Sequence, residues 1–293
     1  MTYREELIDL PDGRTLEVAT LGTPTGSTIF FHHGTPGTTR TLKMLEPLLD
    51  LGDFYLVTAS RPAYGRSSRD EGHRVASAVD DAKAALARVG RKRYVALGWS
   101  GGGPRSLASA ALDDDCIGAV AVASIAPADV DFDWTDGMGP ENVVEFELSK
   151  EGGAPYEEYM AAAGMEMAKL NVESLYEVLG GLFPDVDRAA LADDTDRQTF
   201  VDSVTYGFAN GWHGYFDDNV AMISPWGFDV SNIDKRVHLF YGDADLMVPP
   251  AHGAWLTSNI PRVVAHHRPD EGHMSIISQH FDELAEVLAD LSA

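Results

Sequence analysis

Strand-like and helix-like segments alternate along this sequence, and the alternation predicts an α/β fold: a mostly parallel, eight-stranded sheet covered by helices on both faces. Three observations carry the prediction. Short apolar, β-branched runs recur at 27–31, 54–59, 94–97, 117–124, 237–241 and 263–267. Segments of helical period lie between them, as at 75–89, where Val75, Val79, Ala82, Leu86 and Val89 share a face and Gly90 ends the run. Finally, the alternation stops between 128 and 225, where helical patterns occur without a convincing strand. A core made of 1–127 and 225–293, interrupted by a helical cap at 128–224, is therefore expected.

The remaining elements follow in order. Residues 5–21 read as an antiparallel hairpin turning at Pro11-Asp12-Gly13. The next strand ends in His32-His33-Gly34-Thr35-Pro36-Gly37. A helix is expected over 39–51, followed after strand 54–59 by the loop Arg61-Pro62-Ala63-Tyr64-Gly65-Arg66-Ser67. Within the insertion, Tyr156, Tyr159, Met160, Ala163, Met167 and Leu170 fall on one helical face. Asn171 is placed to cap a helix over 172–183, and Phe200, Val201, Val204 and Phe208 mark another. Helix 251–259 separates the last two strands, and a helix over 275–291 closes the chain.

Composition excludes several classes. A chain of 293 residues suits one large core with an inserted lobe. Its first residues, Met-Thr-Tyr-Arg-Glu-Glu-Leu-Ile-Asp, lack the basic start and apolar stretch of a signal peptide. The longest apolar run, 117–126, is too short to span a bilayer. The single cysteine, Cys116, allows no internal disulfide and reads as a small core residue, so a cytoplasmic location is expected. The net charge of −24 repels nucleic acid and anionic membranes, which leaves a small-molecule substrate as the expected partner. Between Asp129 and Asp218 there are 21 acidic residues against four basic ones. Solubility or adaptation to salt explains that excess, and a field attracting cationic substrates is the functional alternative.

The chemistry concentrates after strand 94–97. Gly98-Trp99-Ser100-Gly101-Gly102 is a G-x-S-x-G sequence between a strand and the helix that begins near Pro104. So tight a turn tolerates no bulk two residues before or after the serine, and it forces the serine into a strained backbone that lifts its hydroxyl outward. No Lys-Ser or Lys-Thr follows the glycines, which sets a phosphate loop aside. Strand 237–241 runs into Gly242-Asp243-Ala244-Asp245, and the last strand into Gly272-His273. Carboxyl ends of parallel strands share one crevice, so Ser100, Asp245 and His273 can converge. A serine hydroxyl needs an adjacent imidazole to take its proton, and the imidazole needs a carboxylate to hold its tautomer. Asp245 is the chosen acid, with Asp243, read as a turn stabiliser, and Asp129 as rivals. The N–H groups of Gly101 and Thr35 are the expected oxyanion donors. His33 is read as ordering its loop, and Trp99 as structural.

His-Gly-Thr-Pro-Gly, Arg-Pro-Ala-Tyr-Gly-Arg-Ser, Gly-Trp-Ser-Gly-Gly, Gly-Asp-Ala-Asp-Leu-Met-Val-Pro and Gly-His273, in that order, resemble the successive signatures of the α/β-hydrolase fold family. The resemblance implies a cap between the sixth and seventh strands. It also sets aside the epoxide- and halide-processing branches, which carry aspartate where this chain has Ser100. A serine hydrolase without metal or organic cofactor is expected, cleaving a small or medium acyl substrate, foremost a carboxylic ester. The alternative resembles the proline iminopeptidases, whose cap carboxylates hold a free amine, although their elbow is usually Gly-Gly-Ser-Trp-Gly. A non-catalytic ligand-binding relative is the third class. Tyr156, Tyr159, Met160 and Met167 are read either as pocket lining or as packing.

Overall fold

The computed structural model describes residues 2–293. Eight strands form one sheet: β1 (Arg4–Asp9), β2 (Thr15–Gly22), β3 (Ser27–His32), β4 (Phe54–Ala59), β5 (Tyr94–Trp99), β6 (Cys116–Val122), β7 (Val237–Gly242) and β8 (Val263–Arg268). Their order is β1-β2-β4-β3-β5-β6-β7-β8. The β1–β2 hairpin is antiparallel and pairs antiparallel with β4, whereas β4, β3, β5, β6, β7 and β8 are mutually parallel. The chain passes from β3 to β4 on one side and returns to place β5 on the other, so the order reverses between β3 and β5. Crevices open at the carboxyl ends of strands flanking such a reversal.

Both faces of the sheet are covered, which is why its central strands read as unbroken apolar runs. Successive side chains alternate between two cores. Ile29, Phe31, Val95 and Leu97 pack with the C-terminal helix (Phe281–Ser292) and with the insertion. Phe30, Tyr94 and Ala96 pack against the helices Ala78–Arg88 and Gly103–Leu112. Cys116 is fully buried in the second core, and burial pushes its thiol up to about 11, so it is not poised as a nucleophile. The outer strand β8 is half-exposed and carries His266, His267 and Arg268, polar side chains that discourage edge-to-edge pairing.

Six α-helices lie between β6 and β7: Pro140–Glu151, Gly153–Met167, Leu175–Val178, Asp185–Ala190, Asp194–Gly207 and His213–Ile223. Among the described residues this insertion contains no strand, and no helix of the protein is long and apolar enough to cross a membrane. Three expected helices are broken. The stretch over 39–51 divides into a 3₁₀ segment, Thr39–Leu45, and a short helix, Leu48–Leu51, because Pro47 has no N–H to continue the ladder. The helix over 172–183 shrinks to Leu175–Val178 before Gly180 and Gly181, and the expected Asn171 cap becomes a turn ahead of it: the Asn171 carboxamide accepts from Glu173 and Ser174 N–H, while the helix itself starts after Ser174 without a side-chain cap. The last helix is interrupted at His280, whose side chain is drawn to Glu271 at 3.1 Å.

Candidate active site

β5 ends one residue before Ser100, and the helix behind it begins at Gly103. Ser100 has φ +57°, the left-handed region that costs a side-chain-bearing residue roughly 1–2 kcal/mol. The flanking glycines are what make the turn possible. A Cβ at Gly98 would collide with the Gly102 carbonyl oxygen, and one at Gly102 with the carbonyl oxygen of His32.

The loops after β7 and β8 bring Asp245 and His273 together. His273 Nδ1 lies 2.8 Å from Asp245 Oδ2, with both side chains at most 2% exposed. Asp245 Oδ1 accepts the N–H groups of Met247 and Val248, each at 2.8 Å, so the carboxylate is itself fixed. The pairing keeps the proton on Nδ1 and leaves Nε2 as the acceptor. Burial opposes a charge on His273, but the Asp245 carboxylate, its hydrogen bond and a second carboxylate, Asp187, outweigh it, and the imidazole pKa is raised. Ser100 and His273 line one cavity of about 90 Å³; no hydrogen bond joins them here, as is common before substrate tightens such a site. The rival acids are elsewhere. Asp243 pairs with His267 at 2.6 Å rather than with its own turn, and Asp129 lines a separate groove beside Trp226.

Thr35 and Gly101 both line the cavity. The Thr35 loop is held by a buried charge cluster that the sequence did not announce. Arg61 donates to the carbonyls of His33 and Gly34, to Thr35 Oγ1 at 2.8 Å, and to Asp218 Oδ2 at 2.6 Å. Thr35 Oγ1 in turn donates to Asp218 at 2.8 Å. Arg105, fully buried in the helix behind Ser100, joins Asp218 to the Gly101 carbonyl. Burial alone would raise the Asp218 pKa, yet Arg105 and Arg61 hold it well below the usual carboxylate range. His33 orders the loop as expected: its Nε2 accepts from Arg61 N–H while Nδ1 donates to the Gly34 carbonyl. Trp99 is structural too, its Nε1 donating to the His273 carbonyl at 3.1 Å.

The cavity walls are mostly apolar, with Phe146, Met167, Phe200 and Met222 among them. Of the four aromatic and sulfur side chains singled out in the insertion, Met167 alone reaches the cavity. Tyr156 and Met160 are core residues. Glu145 is the one insertion carboxylate in the lining. Its Oε1 accepts from Asn219 at 2.6 Å and its Oε2 from the Tyr215 hydroxyl at 2.5 Å. Burial raises its pKa to about 7 against those two bonds. Asn219 Oδ1, also buried, has no partner among the described residues. A Glu on an otherwise acidic helix carries no local sign of this placement, which is why sequence reading missed it.

Solved structures resemble the whole chain. A hydrolase from Pseudomonas aeruginosa PA01 matches with a TM-score of 0.70 at 19% identity, over 99% of this chain and 98% of its own. An esterase from Exiguobacterium antarcticum matches at 0.66 and 17%, over 98% of both chains. A bromoperoxidase from Bacillus anthracis matches at 0.71 and 16%, over 98% of this chain and 100% of its own. At such identities the likeness shows the fold alone. No curated protein matches the sequence. The Alpha/beta hydrolase family matches residues 29–287, the parallel part of the sheet and its insertion without the β1–β2 hairpin, and the chain belongs to that family.

Proposed function

We propose that the protein is a serine hydrolase that cleaves small carboxylic esters through an acyl-enzyme. Ser100 Oγ attacks the carbonyl carbon as His273 Nε2 takes its proton, and the N–H groups of Thr35 and Gly101 receive the oxyanion. His273 then protonates the departing alcohol. It next activates a water that releases the acid and restores Ser100. Asp245 holds the imidazole and balances its transient charge. None of these steps calls on a metal or organic cofactor. The observation that carries the reading is the Asp245–His273 pair sharing one cavity with a serine in left-handed backbone. The cavity's modest volume favours short acyl groups, and the insertion acts as its cap.

A fluorophosphonate probe should label the wild type at Ser100 and leave Ser100→Ala unlabelled, with hydrolysis of p-nitrophenyl acetate lost in parallel. Absence of labelling in folded wild type would instead favour a non-catalytic binding protein. Glu145 supports a second reading, in which it holds a substrate amine as a cap carboxylate does in the iminopeptidase-like alternative. Prolyl anilides with a free amine, cleaved faster than p-nitrophenyl esters, would favour that reading. The same three groups are chemically competent for thioesters, lactones and carbon–carbon bonds, so those substrates are alternatives to the ester.

A further inference from the structure

Asp187 sits in the short insertion helix Asp185–Ala190 and is fully buried, yet among the described residues it pairs with no Lys or Arg. Its carboxylate is taken up entirely by the loop that carries His273. Oδ2 accepts the His273 N–H at 2.8 Å, and Oδ1 accepts those of Met274 and Ser275, both at 2.9 Å. The Ser275 hydroxyl closes the same loop by accepting the Gly272 N–H at 2.8 Å. A Cβ on Gly272 would stand 2.6 Å from both carboxylate oxygens, so only glycine allows the approach. Three successive buried donors on one residue's backbone neighbourhood thus find their acceptor in a side chain contributed from 86 or more positions away, across the junction between insertion and core.

We propose that Asp187 is a positioning residue for His273: the insertion, when seated, supplies the acceptor that fixes the loop and with it the imidazole. The proposal rests on His273 serving as the general base. A backbone held at three consecutive N–H groups leaves the imidazole little freedom beyond its own side-chain rotations, and Asp245 restrains those. The insertion therefore does more than cover the cavity; it completes the geometry underneath. Besides placing the loop, the Asp187 carboxylate raises the His273 pKa, while burial raises its own. Asp245 is the other carboxylate acting on the imidazole. Glu271, on the same loop, is engaged by His280, and Arg188, next to Asp187, turns away to the carbonyls of Phe183 and Gly180.

The test compares wild type, Asp187→Asn and Gly272→Ala, following p-nitrophenyl acetate turnover, fluorophosphonate labelling rate and thermal melting. The amide keeps the shape but offers one acceptor oxygen instead of two, and its N–H₂ faces backbone donors. The added methyl keeps the carboxylate but displaces it. Asp187→Asn should lower kcat about 10- to 100-fold, the loss typical of a misplaced catalytic group, with KM within about twofold of wild type. The acid limb of its kcat/KM profile should move to lower pH, since a negative charge that favours the imidazolium is gone. Gly272→Ala should lose kcat similarly with a smaller displacement of the limb. A folded Asp187→Asn with wild-type kcat and an unmoved limb overturns the proposal, as does a melting change alone. Should Asp187→Asn fail to fold, wild-type turnover in Gly272→Ala overturns it equally. Unlabelled wild type would sink the hydrolase reading itself; equal labelling rates in wild type and variants would sink only the positioning role.

Discussion

Ser100, Asp245 and His273 each follow a strand end, and their separate environments set how the site responds to pH. His273 has a raised pKa, because two carboxylates outweigh its burial. In its proposed role as general base it must be neutral, so the acid limb of kcat/KM should have its midpoint above the ordinary histidine value of about 6.5. The stability contribution of the same group runs the other way. It is fully present below the unfolded pKa and is lost as pH rises through the folded one. Glu145 is raised to about 7 by burial, so its folded form binds a proton more tightly than the unfolded chain does. That contribution is also present at low pH and disappears between about 4.5 and 7. Glu145→Gln should therefore be neutral at pH 4 and stabilising by roughly 3 kcal/mol at pH 8, measured by denaturant unfolding at both pH values. An unchanged stability at pH 8 would mean that Glu145 is not strained by its burial. The three motif residues were legible because strand, turn and side chain are contiguous in sequence. Glu145, Asp187 and Asp218 were not, since each owes its role to groups brought in from distant parts of the chain.

At the scale of elements, Asp218 joins three pieces of the chain, two of which the neighbouring Arg69–Asp217 pair also links. It lies in the insertion helix His213–Ile223 and receives Arg61 from the loop after β4 and Arg105 from the helix behind Ser100. Arg105 and Asp218 are both fully buried. Removing the carboxylate by Asp218→Ala leaves two cations in the interior, a loss of about 3–5 kcal/mol in denaturant unfolding. Because its folded pKa is depressed, the stability it supplies is present above the unfolded value and fades as pH falls toward the folded one. Activity should fall with it, since Arg61 also anchors the Thr35 loop. A variant that lost neither stability nor turnover would show that the cluster is dispensable to both. The strands were readable in sequence because a buried parallel strand is one apolar run. Helix ends were less so: Pro47 stops a helix locally, but His280 is pulled out of line by Glu271, a partner that no periodicity reveals. The Arg-Pro-Ala-Tyr-Gly-Arg-Ser loop was visible as a signature, while the work of Arg61 emerged only with Asp218 opposite it.

For the whole molecule, the charge of −24 has to be reconciled with a cavity whose lining holds a single insertion carboxylate. The buried acids of the insertion are Glu145, Asp187, Asp217 and Asp218, and each has hydrogen-bond partners. Others, including Glu147, Glu157, Glu158, Glu166, Asp194 and Asp202, are exposed on the outer helix faces. That distribution favours a solvated acidic shell over a field focused on the site, and the two make different demands on salt. Repulsion within a shell destabilises the compact state and is screened as the Debye length shrinks from about 30 Å at 0.01 M to about 8 Å at 0.15 M. Raising NaCl over that range should therefore raise Tm by about 2 °C, the shift that about 1 kcal/mol produces in a chain of 293 residues. Over the same range kcat/KM for p-nitrophenyl acetate should stay within about twofold, because a neutral ester feels no steering. A cationic choline ester separates the alternatives. Its kcat/KM should vary no more than that of the neutral ester if the shell is only solvating, whereas a steep fall with salt would place the acidic field at the mouth of the cavity and make it part of substrate capture.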